Sequence, residues 1–284
     1  MKTDCFEQLD GALRQRLAAC RDRLRSIGRL AVAFSAGVDS TFLLALAVET
    51  LGSENVLAVM GISPSLAARE RASGAELARK IGAELVEIDT CELDDPNYAS
   101  NPTNRCFYCK QDLLTRVAEL ARQRGYDTVA TGANADDTGD FRPGLQAGKQ
   151  LGAVCPLMEA GLTKDDIRAA SRAMDLPTWD KPAMACLASR IPYGQPITAE
   201  RLARVEQAEY VLKDLGFATC RVRDHDTVAR IEVPPDDVPR IAELGDRIAP
   251  ALKRLGYTYV TVDLQGFRSG SMNETLASTK TSQP

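Results

Sequence analysis

Apolar positions open the chain at helical spacing: Phe6, Leu9, Leu13, Leu17, Cys20 and Leu24 recur every three or four residues, which predicts an amphipathic helix. A short continuous apolar run over 29–34 then predicts a buried strand. The polar hexapeptide 35–40 follows it, and then a helix-like stretch over 41–52. Apolar runs over 55–63, 84–89 and 127–132 predict three more strands, with helices over 65–81 and 106–124 between them and a polar stretch over 90–105. The segment 154–159 is a candidate fifth strand. Strands with nearly continuous apolar character that alternate with helices predict an α/β fold, its parallel sheet flanked by helices on both faces.

The stretch 133–150, rich in Asp and Gly, reads as loop, and 163–174 as a helix with Thr163 as its N-cap. Pro177, Pro182, Pro192 and Pro196 make 176–196 an ordered loop rather than a regular element. From Thr198 the texture changes. A helix over 198–215, two β segments around a turn within 219–233, a helix over 236–255 and a closing strand over 259–264 predict a small α+β domain. The expected organisation is an α/β domain over 1–196, a small C-terminal α+β domain over 197–275 for substrate binding or oligomerisation, and a disordered tail over 276–284, where apolar content fades.

Composition narrows the function classes. A formal charge of −4 and a pI near 5.3 argue against a broad nucleic-acid-binding surface, which would carry a basic stripe. No apolar run approaches the roughly 20 residues that span a bilayer, and the opening residues lack a secretory pattern. In such a chain the eight cysteines read as reduced thiols of a cytoplasmic protein, some of them metal ligands or catalytic. The lone histidine, His225, excludes catalysis by a histidine pair and a His-rich metal site.

The hexapeptide Ser35-Ala36-Gly37-Val38-Asp39-Ser40 ends a strand and opens a helix. Backbone N–H groups of such a turn and the positive end of the following helix together cradle a phosphate, and Ser35 and Ser40 add hydroxyl donors. It is no Walker A loop, because no Gly-Lys-Ser/Thr follows. It resembles the pyrophosphate-binding loop (PP-loop) of the N-type ATP pyrophosphatases, which have the adenine nucleotide alpha hydrolase-like fold, cleave ATP between the α and β phosphates and transfer AMP to a substrate oxygen. Ala36 stands where that family usually carries a second glycine. If the backbone there needs a positive φ, alanine costs on the order of 1 kcal/mol. The segment 131–137, Thr-Gly-Ala-Asn-Ala-Asp-Asp, falls at the same carboxyl edge of the sheet, where ligands bind in open parallel sheets. The resemblance places Gly132 and Asn134 near the nucleotide and Gly61, Ile62 and Ser63 near adenine. The hard carboxylate oxygens of Asp136 and Asp137 suit Mg²⁺.

Cys106 and Cys109 have metal-ligand spacing at a helix start, and Cys186 lies in the proline-bounded loop beside Ser189 and Arg190. Alone, the pair reads as a redox dithiol or half of a zinc site. Three thiolates from two places would suit a [4Fe–4S] cluster with one iron left open. Cys5, Cys20, Cys91, Cys155 and Cys220 fit the role of buried small hydrophobes.

The strings NPTNRCFYCK, DFRPGLQA, EAGLTKDDIR, LPTWDKPAMACLASRIPYG and LQGFRSGSMNE together resemble the LarE family, a likeness running from about residue 5 to 275. LarE proteins are ATP-dependent sulfur transferases that build the thiocarboxylate groups of the nickel-pincer nucleotide, the lactate racemase cofactor. The resemblance implies a small-molecule substrate, a pyridinium dicarboxylate mononucleotide. AMP is placed on one carboxylate and sulfur then displaces it. Asp39 is a catalytic candidate in the cradle. Family members deliver sulfur by two routes: a single cysteine at the position of Cys186 gives up its own sulfur, or three cysteines hold a cluster and the protein survives turnover. With Cys106, Cys109 and Cys186 all present, the cluster route is expected. Its sulfur donor would be sulfide, coenzyme A persulfide or a desulfurase.

Arg190 is a candidate for favouring a Cys186 thiolate or binding a phosphate. Arg221, Arg223 and Arg268 are candidates for holding a phosphate or carboxylate in their guanidinium forks. The resemblance also suggests Glu209 and Glu232 in a metal-associated acidic cluster, Trp179 as a packing residue or substrate wall, and a homo-oligomer, a hexamer. The competing readings are a tRNA-thiolating enzyme, which would share the ATP loop and three cysteines, an iron–sulfur carrier with an inactive nucleotide loop, and an amide-forming ligase.

Overall fold

The computed structural model describes residues 5–139, 143–182 and 185–268. In chain order the elements are α1 (Gly11–Ile27), β1 (Leu30–Ala33), α2 (Val38–Leu51), β2 (Val56–Ile62), α3 (Ala68–Ile81), β3 (Glu84–Asp89), α4 (Pro96–Ala99), α5 (Arg105–Gln123), β4 (Thr128–Ala130), α6 (Pro143–Gln150), α7 (Pro156–Glu159) and α8 (Lys164–Ala173). There follow α9 (Ala199–Asp214), β5 (Arg221–His225), β6 (Val228–Glu232), α10 (Val238–Glu243), α11 (Gly245–Arg254) and β7 (Tyr259–Val262). The chain divides into two compact units, Met1–Glu92 with Asn104–Met184, and Leu93–Thr103 with Ala185–Pro284.

The first unit holds a parallel sheet in the order β3-β2-β1-β4. Alternate residues of its central strands feed two cores, which is why those strands read as continuous apolar runs. Leu30, Val32, Val56, Ala58 and Met60 pack with α1, α2 and α8 on one face. Ala31, Leu57 and Val59 pack with Val117 and Ala121 of α5 on the other. The order of strands places the carboxyl ends of β1 and β4 side by side, so the loops after them share one edge.

In the second unit β5 and β6 form an antiparallel hairpin and β7 joins β6 in parallel. Ala208 and Leu212 of α9, with Ile248 and Leu252 of α11, cover Val222, Ala229 and Ile231 of this sheet.

Several expectations need correction. The fifth strand over 154–159 does not form: Val154 makes one bridge to Ala130 and α7 begins at Pro156. Proline lacks the N–H a ladder needs but suits a first helical turn. The supposed loop 133–150 contains a 3₁₀ turn, Ala135–Gly139, and then α6, which begins at Pro143. The single helix expected over 236–255 breaks at Leu244 into α10 and α11. The second unit takes in Ala185 onward and the insert Leu93–Thr103, a wider extent than the start at 197. The expected tail 276–284, and parts of the strings DFRPGLQA, LPTWDKPAMACLASRIPYG and LQGFRSGSMNE, lie outside the described residues. Among the described residues no helix is long and apolar enough to cross a membrane.

Candidate active site

In the first unit the turn after β1 presents the start of α2, whose N-cap residue Gly37 supplies no side-chain bond. The N–H groups of that first helical turn are therefore not taken by a capping side chain, and the dipole favours an anion there. Ala36 has φ 56° and is buried, so the alanine does occupy the left-handed region that glycine would reach without strain. Ser35 Oγ and Ser40 Oγ lie 3.0 Å apart, and Ser40 Oγ accepts the Ser35 N–H at 3.2 Å, which braces the turn across its mouth. Val38 is buried in the core beneath it.

Gly132 follows β4 against this turn. A Cβ there would stand 2.8 Å from Ser40 N and 3.0 Å from Asp39 C. Only a glycine lets the two loops approach so closely. Asn134 is buried; its Nδ2 donates to Asp39 Oδ1 at 3.4 Å, and its Oδ1 accepts the Asp136 N–H at 3.0 Å. Asp137 is turned inward, with Oδ2 accepting the Asn134 N–H at 3.0 Å. Asp136 is exposed and caps α8, its Oδ2 accepting the Lys164 N–H at 2.8 Å.

Sequence reasoning missed two lysines. Lys164 Nζ donates to Asp39 Oδ2 at 2.5 Å, and Lys181 Nζ donates to Ala36 O at 3.2 Å and to Glu70 Oε2 at 2.9 Å. The cradle lacks a lysine of its own but receives two from distant segments. Arg168 of α8 fixes the second by donating to Trp179 O at 2.8 Å and Lys181 O at 2.9 Å. Trp179 is partly exposed and stacks beneath Arg172, 5.0 Å from guanidinium to ring centre. Both lysines sit in strings quoted for the family resemblance, which was the available signal.

At the end of β2, a Cβ on Gly61 would meet Leu113 Cδ1 at 2.6 Å, so this glycine admits α5 against the sheet edge. Ser63 Oγ accepts the Ser65 N–H at 3.2 Å. Cys106, exposed, and Cys109, half-buried, lie in the first two turns of α5 three residues apart, hence on one helical face.

In the second unit Cys186 is exposed and opens a 3₁₀ turn, Leu187–Arg190. Arg190 at its end is 3% exposed, which corrects the expectation of a guanidinium ready for a thiolate or a phosphate. Its Nε and Nη2 pair with Glu209 at 2.7 and 3.1 Å, while Nη1 donates to Ala185 O, Cys186 O and Ser189 Oγ at 2.7, 3.0 and 2.9 Å. Glu209 also accepts the Val222 N–H at 3.2 Å.

Arg223 is likewise buried, its guanidinium on Glu232 Oε2 at 2.9 and 2.7 Å and on Ser189 O at 2.9 Å; Arg230 reaches Glu232 Oε1 at 3.1 Å. Glu209 and Glu232 thus stand in Arg–Glu pairs. Arg221 donates to Cys220 O at 2.8 Å and lies over Phe267; burial, and then the neighbouring Arg190 charge, push it below the usual arginine range. Arg268 bonds Gly266 O at 3.1 Å and stands 3.6 Å from Asp263. Burial and the Arg230 charge lower His225, which is therefore neutral at pH 7.

The expected burial of the five remaining cysteines holds only for Cys20 and Cys220; Cys5 and Cys91 are exposed and Cys155 is half-buried. Burial foremost pushes Cys20 and Cys220 up to about 12 from 9.0. A pKa raised on folding favours the folded state fully below pH 9 and loses that contribution as pH climbs from 9 toward 12. Urea midpoints are expected to fall across that window, less steeply in Cys220→Ala; equal slopes would disprove the assignment. Among the described residues no three Cys, His, Asp or Glu side chains gather as metal ligands would.

No family model matches the chain. It is 40% identical over 267 residues to an uncharacterized protein of Synechocystis, covering 93% of this chain and 99% of that one. It is 38% identical over 253 residues, 89% of this chain and 92% of the other, to the pyridinium-3,5-bisthiocarboxylic acid mononucleotide synthase of Lactiplantibacillus plantarum. An uncharacterized protein of Methanocaldococcus jannaschii is 26% identical over 241 residues, 85% of this chain and 91% of its own.

Proposed function

The chain belongs to the LarE family, and from that premise we propose that it is an ATP-dependent, AMP-forming sulfur transferase acting on pyridinium-3,5-biscarboxylic acid mononucleotide. The observation that carries the reading is the cradle: a helix start with no side-chain cap, closed by Gly132 and approached by Lys164 and Lys181. A substrate carboxylate oxygen attacks the α-phosphorus of ATP there, and pyrophosphate leaves. The α2 N–H groups, Ser35 and the two lysines carry the charge that accumulates on it. A sulfur nucleophile then attacks the acyl carbon and AMP departs, taking the original oxygen. Adenylation is needed because oxide is a poor leaving group. The Mg²⁺ that accompanies ATP keeps few protein ligands, and the exposed carboxylate of Asp136 suits it better than the inward Asp137.

Cys186 is the sulfur-bearing position in this reading, and Arg190 a positioning residue that holds its carbonyl. The thiols of Cys106 and Cys109, three residues apart on one face of α5, fit as two donors to a [4Fe–4S] cluster, with Cys186 as the third. When bound, such a cluster would supply an open iron able to carry an added sulfide, so that Cys186 keeps its own sulfur.

Cys186→Ala is expected to retain AMP formation on the carboxylate nucleotide, without tRNA, and to lose thiocarboxylate formation by about 100-fold or more. Thiocarboxylate made by that variant at the wild-type rate would disprove the assignment. The cluster route predicts an iron-dependent visible band, lost in Cys106→Ala, and an unchanged protein mass after one turnover. Loss of one sulfur atom from Cys186 would overturn that route and leave sacrificial transfer.

A further inference from the structure

The insert Leu93–Thr103 lies between β3 and α5 in sequence yet packs with the second unit. Its last ordered turn carries Asn101, which is fully buried and has φ 58°. A side chain held there in the left-handed region points to a required contact, since glycine would take the same backbone without strain. The contact is specific. Asn101 Nδ2 donates to Ile191 O at 3.2 Å and to Pro192 O at 2.8 Å. Its own carbonyl accepts the Gly194 N–H at 3.0 Å, and Ala99 O accepts the Ile197 N–H at 2.8 Å. Tyr98, also buried, accepts the Asn101 N–H on its backbone carbonyl at 2.9 Å.

We infer that Asn101 is a positioning residue for Cys186: it locks the carboxyl side of the loop whose amino side Arg190 holds. The two anchors meet at adjacent residues. Arg190 fixes Ala185 O and Cys186 O, and the next residue, Ile191, gives its carbonyl to Asn101. Within the turn, the Ser189 N–H bonds Cys186 O and the Ile191 N–H bonds Ala188 O, so a shift at 191 is passed back to 186. A primary amide is needed because one small group must offer two N–H donors to two carbonyls in a dry site. Aspartate has the same shape and would set an oxygen against both. The inference rests on the reading that Cys186 delivers sulfur, but its structural half can be tested without that reading.

Full-length Asn101→Asp and Asn101→Gly are compared with wild type by hydrogen exchange and by kinetics. Exchange in peptides covering 186–197 is expected to quicken about 10-fold or more in both variants, with peptides covering 30–62 unchanged. Asn101→Gly relieves the backbone strain and can keep the main-chain bonds, so it removes the amide without placing a carboxylate against the two carbonyls. The kcat for thiocarboxylate formation should fall about 10-fold or more, with KM for ATP unchanged. Unchanged exchange over 186–197, or equal loosening throughout the chain, overturns the inference. So does a loosened loop that still transfers sulfur at the wild-type rate. If wild type itself makes no thiocarboxylate, the functional reading fails, while the exchange comparison still decides whether Asn101 holds the loop.

Discussion

Replacing Gly132 with alanine is expected to lower AMP formation by about 100-fold and to destabilise the first unit by about 1–3 kcal/mol. The added methyl would meet Ser40 N at 2.8 Å, with Asp39 C and Ser40 Cα each at 3.0 Å. All three are backbone atoms of the first turn of α2, so no side chain can rotate out of the way. The loop after β4 and the helix start must separate, which moves the N–H groups that point at the phosphates and lengthens the Asn134–Asp39 contact. Misplacement by a fraction of an ångström matters because preorganised donors act only where charge develops. Gly11→Ala is the matched control, since its Cβ would meet nothing within 4 Å. AMP release and thermal denaturation of both variants check the claim. A Gly132→Ala protein with wild-type melting and AMP release within about threefold would show that the close approach does not matter.

The cradle was legible because its signals are local. An apolar run, a Ser-x-Gly-x-Asp-Ser turn and a helix-forming stretch specify strand, loop and helix within about 20 residues, and parallel-sheet physics puts ligands at that edge. The positive φ at Ala36 was legible as a condition, since the requirement belongs to the turn and not to the residue. What stayed hidden is long-range. Lys164 and Lys181 reach Asp39 and Ala36 across 125 and 145 residues of sequence, and nothing in a helix start or a proline-bounded loop announces where a lysine tip will arrive.

Arginine roles were misjudged for a related reason. Composition marks Arg190 and Arg223 as exposed by habit, whereas each is buried against a glutamate supplied by another element. The strand expected over 154–159 failed on one residue, Pro156, whose missing N–H was outweighed in sequence reading by the apolar neighbours Val154 and Leu157.

The Arg190–Glu209 pair separates stability from positioning, and the two can be measured apart. Both side chains are almost wholly buried, at 3% and 2% exposure, so removing one leaves a charge without its partner. Arg190→Met is expected to cost about 3–5 kcal/mol, because the buried Glu209 loses its paired guanidinium and, among the described residues, keeps one hydrogen bond, from the Val222 N–H. Arg190→Met combined with Glu209→Met removes both charges and should recover most of that loss, as apolar replacements of buried ion pairs generally do. The recovery stops short by about 1 kcal/mol, the worth of the Val222 hydrogen bond.

Folding is not what the double variant lacks. No guanidinium remains to hold Ala185 O and Cys186 O, so the cysteine loop loses its amino-side anchor. Urea unfolding should therefore report near-native stability while thiocarboxylate formation stays depressed by about 10-fold or more, with AMP formation retained. If the double variant restores sulfur transfer together with stability, Arg190 serves only to neutralise Glu209, and the position of Cys186 must be set by other contacts.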